Sequence, residues 1–234
     1  QGFDVAICRS VAAAVLGDPM AIEFIPTTGK TRFTALASGE VDFLSRTTTW
    51  TFQRDVELKF DFQGVNYYDG QGFMVPASMG ITSAKDLDGA TVCIQTGTTT
   101  ELNLADYFRV NNMSYEPVPV EKNSESRALY LAGACDVYTT DASALAATRA
   151  TFENPGDHVI LDEIISKEPL GPLTRHGDNN WGDVVRWTLN ALVSAEELGV
   201  TKANVAELSA APTNNPEINR MLGTEKTLGD WLGL

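Results

Sequence analysis

The chain carries little positive charge. Its 234 residues include 17 lysines and arginines against 31 aspartates and glutamates, which gives a net charge of −14. A surface of that sign repels polyphosphate backbones and anionic membrane surfaces, so nucleic acid is not an expected partner. No run approaches the roughly 18 consecutive apolar residues that span a bilayer, and residues 1–4 show neither the basic start nor the apolar core of a signal peptide. These absences predict a soluble chain that is either mature or cut.

Histidine and cysteine are also scarce. His158 and His176 lie in segments rich in turn residues without a second ligand at a suitable spacing, so the sequence predicts no metal site, no His-based catalytic triad and no cofactor. Cys8, Cys93 and Cys135 are an odd number, so at most one pair can form within the chain. Composition alone favours three buried thiols in a reducing compartment.

Hydrophobic residues make up 43% of the chain, enough for one large core or two small ones.

The chain repeats itself with an offset of 94 residues. The offset relates two glycine–aspartate pairs, a helix-like run and a strand-like run: Gly39 and Asp42 match Gly133 and Asp136, residues 4–17 match 98–111, and residues 22–25 match 116–119. Each copy shows a helix, a strand, a second helix, a glycine, a second strand and then a polar cluster. That alternation predicts a parallel sheet with helices on its faces.

Local signals set the predicted helix in each copy. An amphipathic pattern runs through residues 4–17, and Gly17 ends it. In the second copy, Thr98 and Glu101 have the spacing of a capping box, so a helix is expected to begin at Thr98. The preceding segment, 90–95, is short and rich in β-branched residues, which favours a buried strand.

The first copy lacks the counterpart of this opening strand. Helices are predicted to end at Gly39 and Gly133, followed by strands at 41–44 and 135–138. The offset places the counterpart of 90–95 almost entirely before residue 1. In a doubly wound sheet of this order that strand lies between the other two, so its absence leaves a slot. Either the chain is truncated, or another segment or subunit fills the slot in a homodimer or a strand-swapped assembly.

Two extended segments are expected to connect two lobes. Residues 67–76 are rich in glycine and then extended, and 165–172 provide the return crossing. A long amphipathic helix over 181–192, ended by Gly199, is expected to pack on the first lobe, and further helices follow it. The predicted lobes are residues 1–74 with 168–234, and 75–167.

Polar clusters follow the predicted strands of both lobes. Residues 45–49, with Arg54 shortly after them, give one cluster a cationic character, whereas residues 139–141 end in Asp141. Ligands of open α/β sheets lie beyond the carboxyl ends of the strands. A guanidinium and the helix start at Gly97 suit a carboxylate, and a carboxylate suits an ammonium. This polarity matches a free α-amino acid.

The chain resembles the type II periplasmic binding proteins of ABC importers, in the general L-amino-acid-binding branch. The motifs that carry the resemblance run through the chain at residues 2–4, 45–54, 67–73, 95–101 and 136–141. The resemblance implies an α/β, two-lobed periplasmic-binding-protein type II fold. Each lobe is then a doubly wound sheet with helices on both faces, the lobes are joined by two crossings, and the first lobe lacks its opening strand.

The resemblance also implies a function. Free L-amino acids are expected to bind reversibly in the inter-lobe cleft for delivery to the membrane subunits of an ABC importer in the periplasm. Arg54 would grip the α-carboxylate together with N–H groups at Thr49 and Thr99, and Asp141 would take the α-amino group. The other expected ligand-binding residues are Arg46, Thr47, Trp50, Tyr67, Gly97 and Thr98.

Export to the periplasm makes a disulfide possible. Cys93 and Cys135 lie on strands expected to be neighbours in the second lobe, so the resemblance implies that they are bonded. Cys8 is then left over, either unpaired or paired between chains.

Other interpretations compete with this one. Arg54 is alternatively a surface arginine paired with Asp55 or Glu57, and Asp141 alternatively caps the helix that follows it. Binding without catalysis is the favoured function. The alternatives are a truncated remnant without ligand binding, whose sheet a swapped or partner strand completes, and a dehydratase-like enzyme on the same scaffold.

Overall fold

The chain divides into two compact units. The computed structural model describes residues 2–224 and 229–233, so residues 1, 225–228 and 234 of the predicted first lobe lie outside the described residues. Unit 1 comprises Gln1–Phe24, Asp42–Asn66 and Gly171–Leu234, and unit 2 comprises Ile25–Val41 and Tyr67–Leu170. These units differ from the predicted lobes chiefly in the place of Ile25–Val41, and the lobe boundaries stay a prediction.

Helices and strands alternate along the chain. The strands are β1 (Phe60–Phe62), β2 (Tyr67–Asp69), β3 (Gln71–Pro76), β4 (Thr91–Gln95), β5 (Glu116–Val120), β6 (Val137–Asp141), β7 (His158–Ile160), β8 (Glu168–Leu170) and β9 (Leu173–Arg175). The helices are α1 (Phe3–Leu16), α2 (Arg32–Ser38), α3 (Thr99–Val110), α4 (Asn123–Leu131), α5 (Ala142–Arg149), α6 (Asn179–Glu197), α7 (Val205–Leu208) and α8 (Pro216–Leu222). A π-helical turn spans Gln53–Glu57. No helix among the described residues is long and apolar enough to cross a membrane.

Unit 2 contains a five-stranded sheet in the order β5-β4-β6-β3-β7. Strands β5 and β6 both run parallel to β4, whereas β3 is antiparallel to β6 and to β7. Alternate residues of β3 face opposite sides, so Phe73 packs near Leu104 of α3 while Met74 packs near Tyr130 of α4 and Leu145 of α5. The predicted buried strand at 90–95 is confirmed as β4, and it lies between the other two strands of its copy.

The predicted helix ends are confirmed in both copies. Gly39 follows α2 with φ 79°, and Gly133 follows α4 with φ 72°, a left-handed conformation in which glycine has no side chain to clash. Helix α1 ends at Gly17, whose N–H donates to the Ala13 carbonyl at 3.0 Å. At the start of α3, Thr98 Oγ1 accepts a hydrogen bond from the Glu101 N–H at 3.2 Å, as the capping-box spacing predicts.

The described residues of unit 1 do not form the doubly wound sheet predicted for the first lobe. These residues include the antiparallel pair β1 and β9 and a bridge between Leu44 and Leu173. The strands predicted at 22–25 and 41–44 are therefore wrong, because neither segment forms a ladder in the structure. A strand needs a ladder of hydrogen bonds with a neighbouring strand, and local sequence signals do not supply one. The long helix α6 packs on α1 in this unit, as predicted.

The two segments predicted as crossings lie side by side in unit 2. Strand β2 pairs antiparallel with β8, which sets Asp69 opposite Glu168. Just after β2, a side chain at Gly70 would place its Cβ 2.8 Å from the Ser166 carbonyl oxygen, so only glycine fits this approach. Segment Ile25–Val41 packs on the same unit, since a Cβ at Gly29 would lie 2.7 Å from the Thr96 carbonyl oxygen.

A disulfide joins two neighbouring parts of the sheet. Cys93 on β4 is bonded to Cys135, just before β6, with a Cα–Cα distance of 5.6 Å. The pairing implied by the resemblance is confirmed. Cys8 on α1 is a free, partly buried thiol.

The outer edge of the sheet, along β5, carries two prolines. Glu116 donates its N–H to the Ala90 carbonyl, and the Val120 carbonyl accepts from the Thr96 N–H, so these β5 residues face β4. The alternate positions are Pro117 and Pro119, which have no N–H to present on the opposite side.

Candidate functional site

Arg54 is buried and held in a defined orientation. It lies in the π-helical turn Gln53–Glu57, where the Leu58 N–H reaches back to the Gln53 carbonyl at 2.9 Å. The residue is only 6% exposed, and its Nη1 donates to the Thr49 carbonyl at 2.7 Å. Single π turns are rare and occur frequently at functional sites. The alternative of a surface arginine is therefore wrong, because the Arg54 side chain is buried. Burying a guanidinium is costly unless hydrogen bonds or an opposite charge compensate it.

The neighbouring Trp50 is fixed by two contacts. Its ring stacks on Phe62 with centroids 5.3 Å apart and planes 8° apart. Its Nε1 donates to Asp55 Oδ2 at 2.6 Å. Asp55 thus serves to orient Trp50, which remains 39% exposed.

Thr47 is tied to the first turn of α1. The Asp4 carboxylate accepts from Ser45 Oγ at 2.8 Å, from the Thr47 N–H at 3.1 Å and from Thr47 Oγ1 at 3.3 Å. Thr48 is buried and donates its hydroxyl to the Arg46 carbonyl at 2.8 Å. These contacts shape the polar cluster that precedes Arg54.

The start of α3 is capped from within the chain. The Gly97 N–H donates to Glu101 Oε2 at 2.9 Å, so the carboxylate of the capping box already occupies this donor of the predicted anion site. Gly97 has φ 72°, and a side chain there would also meet Lys30. Thr99, the first residue of the helix, donates its hydroxyl to Glu168 Oε2 at 3.1 Å.

Asp141 ends β6 and is 7% exposed. It occupies the position before α5, but its side chain makes no capping hydrogen bond to that helix, so the capping alternative is wrong. Asp69 performs this role instead, since its carboxylate accepts from the Ser143 N–H at 3.3 Å and from the Ser143 hydroxyl. The Asp141 carboxylate is therefore not committed to holding the helix.

Sequence reasoning missed two buried polar residues of unit 2. Glu168 is 2% exposed and accepts hydrogen bonds from Thr99, Asn103 and Ser166. Gln71 is fully buried, and its Nε2 donates to the Thr100 carbonyl at 3.1 Å and to Thr139 Oγ1 at 3.0 Å. Gln71 thus links the first turn of α3 to the middle of β6. Most of these partners lie far away along the chain, so local patterns gave no signal for them.

Unit 2 also has an open groove of about 550 Å³. Lys30 and Thr96 form the part nearest Gly97, and the remaining wall is largely apolar. Its other lining residues include Val120, Glu121, Ala128 and Leu129.

The predicted ligand residues fall into two sets. Arg46, Thr47, Thr49, Trp50 and Arg54 lie in unit 1, and Tyr67, Gly97, Thr98, Thr99 and Asp141 lie in unit 2. Within unit 1 the structure joins Arg54 to Thr49, and within unit 2 it gathers 97–99 at one helix start. Tyr67 is 47% exposed on β2. Their contacts with a ligand stay predictions.

Comparison with known proteins decides the family. Residues 1–205 match the family described as bacterial extracellular solute-binding proteins, family 3. The glutamate/glutamine/aspartate/asparagine-binding protein BztA of Rhodobacter capsulatus is 66% identical over all of this chain and 69% of its own length. The chain belongs to this solute-binding family. The general L-amino acid-binding periplasmic protein AapJ of Rhizobium johnstonii is 57% identical to the solute-binding chain, over all of it and 68% of AapJ.

A solved structure shares the fold of this solute-binding protein. It is an ABC transporter periplasmic binding protein from Brucella ovis with glutathione bound. The two are 57% identical with a TM-score of 0.94, over all of this chain and 74% of the other. The predicted α/β fold of type II periplasmic binding proteins is thereby confirmed for this solute-binding protein, apart from the strands of the first copy described above.

Proposed function

We propose that the chain binds free L-amino acids reversibly in the periplasm and delivers them to the membrane subunits of an ABC importer. The observation that carries the proposal is the burial of a charged side chain of opposite sign in each unit: Arg54 in unit 1 is 6% exposed, and Asp141 in unit 2 is 7% exposed. A guanidinium fork suits the α-carboxylate that all amino acids share, and a carboxylate suits their α-ammonium. The proposal contains no chemical step, in keeping with relatives whose names describe binding.

Ligands with acidic and amide side chains are the class that we propose binds best. BztA is named for glutamate, glutamine, aspartate and asparagine. In this chain, the expected ligand residues other than Arg54 and Asp141 include a threonine at position 49 and a second arginine at position 46, beside the aromatic residues Trp50 and Tyr67. Hydroxyl and guanidinium groups hydrogen-bond acidic and amide side chains, which supports this preference.

Glutathione is a second candidate ligand. The Brucella ovis protein was solved with glutathione bound. The γ-glutamyl end of glutathione carries the same free α-amino and α-carboxylate groups as glutamate. We propose the groove of about 550 Å³, whose lining includes Lys30 and Thr96 next to Gly97, for the rest of the molecule.

Calorimetric titration with the proteinogenic amino acids and glutathione tests the proposal. Arg54→Ala and Asp141→Asn should each weaken amino-acid binding by about 100-fold or more, because each leaves one ligand charge without its partner. Arg109→Ala and Asp106→Asn are matched controls, since these residues form an exposed ion pair at 2.6 Å on α3. The controls should leave affinity within about twofold.

The outcomes separate the possibilities. Thermal melts accompany each titration, so that loss of binding is counted only in variants that fold. Unchanged affinity in Arg54→Ala contradicts the assignment of the carboxylate site. A folded wild-type chain that binds nothing in the panel contradicts the proposed function.

A further inference from the structure

The start of α5 is held by residues from another segment of the chain. Helix α5 begins at Ala142, and the residue before it is Asp141. The Ala142 N–H donates to the Gly70 carbonyl at 2.8 Å, and the Ser143 N–H donates to Asp69 Oδ1 at 3.3 Å. Asp69 Oδ2 also accepts from the Ser143 hydroxyl. The first two N–H groups of α5 therefore have acceptors on the two residues that precede β3.

This arrangement differs from an ordinary helix start. The first N–H groups of a helix lack partners within the helix, and the side chain of the residue just before it usually accepts from the second or third of them. Asp141 stands at that position with a non-helical backbone (φ −54°, ψ 138°), and aspartate is among the best capping residues. Its carboxylate nevertheless makes no capping hydrogen bond. A residue suited to capping thus leaves that role to Asp69.

Asp69 is fixed where it can take this role. It ends β2, which pairs with β8, and its Oδ1 also accepts from the Gly70 N–H at 2.9 Å. Gly70 approaches Ser166 too closely for any side chain. Strand β3 then begins with Gln71, which stands opposite Asp141 in β6. The chain from Asp69 to Gln71 therefore runs beside the end of β6 and the start of α5.

We propose that Asp69 is a positioning residue: it caps α5 so that the Asp141 carboxylate serves the α-ammonium of the ligand, and it thereby sets the preference for amino acids over acids without an amino group. The inference rests on the proposed function, in which Asp141 binds the α-ammonium. A carboxylate that accepts from the helix start has fewer lone pairs to offer a ligand. Without Asp69, the Ser143 N–H takes Asp141 as its acceptor and competes with the ligand for it.

Displacement titrations with L-glutamate and glutarate measure this preference. Glutarate has both carboxylates of glutamate and lacks the α-amino group. The ratio of the glutarate dissociation constant to that of L-glutamate therefore reports the ammonium contact, and a general loss of affinity leaves it unchanged. Asp69→Ala should lower the ratio about tenfold, the order expected for the loss of one hydrogen bond to a charged group.

Asp69→Asn separates capping from charge. Asparagine caps helices about as well as aspartate does, and its amide oxygen can accept from the Ser143 N–H in place of Oδ1. The ratio should therefore stay within about threefold of the wild-type value. An equal fall in Asp69→Asn and Asp69→Ala overturns the inference, because the negative charge of Asp69 rather than its capping would then favour the ammonium.

Asp88→Ala is the matched control. Asp88 also accepts from the N–H and the hydroxyl of one serine, Ser114, at 2.7 Å and 3.1 Å. It precedes β4, whereas Asp141 ends β6, which runs parallel to β4, so the two aspartates lie at opposite ends of these strands. The control should leave the ratio within about twofold of the wild-type value. A tenfold fall in the control as well would overturn the inference, since the ratio would then respond to any lost aspartate–serine contact.

Asp141 variants test whether Asp69 acts through Asp141. In the Asp141→Asn background, Asp69→Ala should have no further effect on the ratio, and additive effects overturn the inference. Asp141→Ala gives a test that does not require Asp69→Ala to fold. Because the acceptor of the Ser143 N–H is Asp69, hydrogen exchange of this amide should stay within about twofold of the wild-type rate. A rise of about tenfold would show that Asp141 holds the helix start, which overturns the inference.

Two results separate this inference from the function on which it rests. Wild-type binding of L-glutamate together with an unchanged ratio in folded Asp69→Ala overturns the inference alone. A folded wild-type chain that binds no amino acid overturns the proposed function and the inference with it.

Discussion

The two copies of the repeat have similar local sequences and different structures. In residues 98–141, helices α3 and α4 form and strands β5 and β6 flank β4. In residues 4–47, helices α1 and α2 form, but the segments that match β5 and β6 make no ladder. Helical hydrogen bonds join residues four apart, whereas a strand needs a neighbour from elsewhere in the chain. The comparison teaches that local sequence signals reproduce the helices of the repeat, whereas its strands also require a partner strand.

The largest effect should come from opening the disulfide on β4. The Cys93→Ala, Cys135→Ala double variant removes a link across 42 residues, which should lower the free energy of unfolding by about 4 kcal/mol. Cys8→Ala in the first copy is the matched control and should cost less than about 1 kcal/mol. Urea denaturation measures both values. Equal losses in the two variants would break the comparison, since stability would then not be concentrated around β4.

The free thiol of the first copy should be slow to react. Burial, and then the nearby Asp4 charge, raises the pKa of Cys8 from 9.0 to about 11. At pH 9 roughly half of the unfolded chains carry a thiolate, against about 1% of the folded ones. Alkylation by iodoacetamide at pH 9 should therefore be about fifty times slower in buffer than in urea.

The sign of the pH effect follows from the same shift. The folded state favours the neutral thiol, so this contribution to stability is complete below pH 9 and is lost as the pH rises toward 11. Cys8→Ser should flatten this part of the stability profile. Equal alkylation rates in buffer and urea would show that α1 does not protect the thiol.

The smallest effect should be the same in both copies. Gly39→Ala and Gly133→Ala each place a side chain at a φ of 72–79°, which should cost about 1 kcal/mol. A Cβ at either position meets nothing within 4 Å, so backbone strain accounts for the cost. Urea denaturation should give values that agree within a few tenths of a kcal/mol. A cost at Gly133 with none at Gly39 would mean that the helix end of the first copy is not set locally.

The predictable parts of the molecule are those with short-range causes. Gly17 ends α1 and Thr98 begins α3 because the residues that form each cap are within a few positions of one another. The repeat predicted a strand at 135–138 followed by a polar cluster that ends in Asp141. The structure has this strand two residues later, as β6, so Asp141 is its last residue.

The remaining features depend on partners far away in the sequence. Glu168 is 69 residues from Thr99, and Thr47 is 43 residues from Asp4. The burial of Arg54 depends on how its π-helical turn packs, which no periodic pattern reports. The homodimer or strand-swapped assembly expected from the sequence stays a prediction, and light scattering measures it directly.

The proline-bearing edge of β5 has a consequence for the behaviour of concentrated solutions. With Pro117 and Pro119 at the outward positions, this edge offers few donors to an approaching strand and is a poor template for aggregation. Segments 22–25 and 41–44, which form no ladder in the structure, contain no proline to protect them in the same way. Misassembly of this protein should therefore begin in the first copy, and a charged substitution there is the place to improve its solubility.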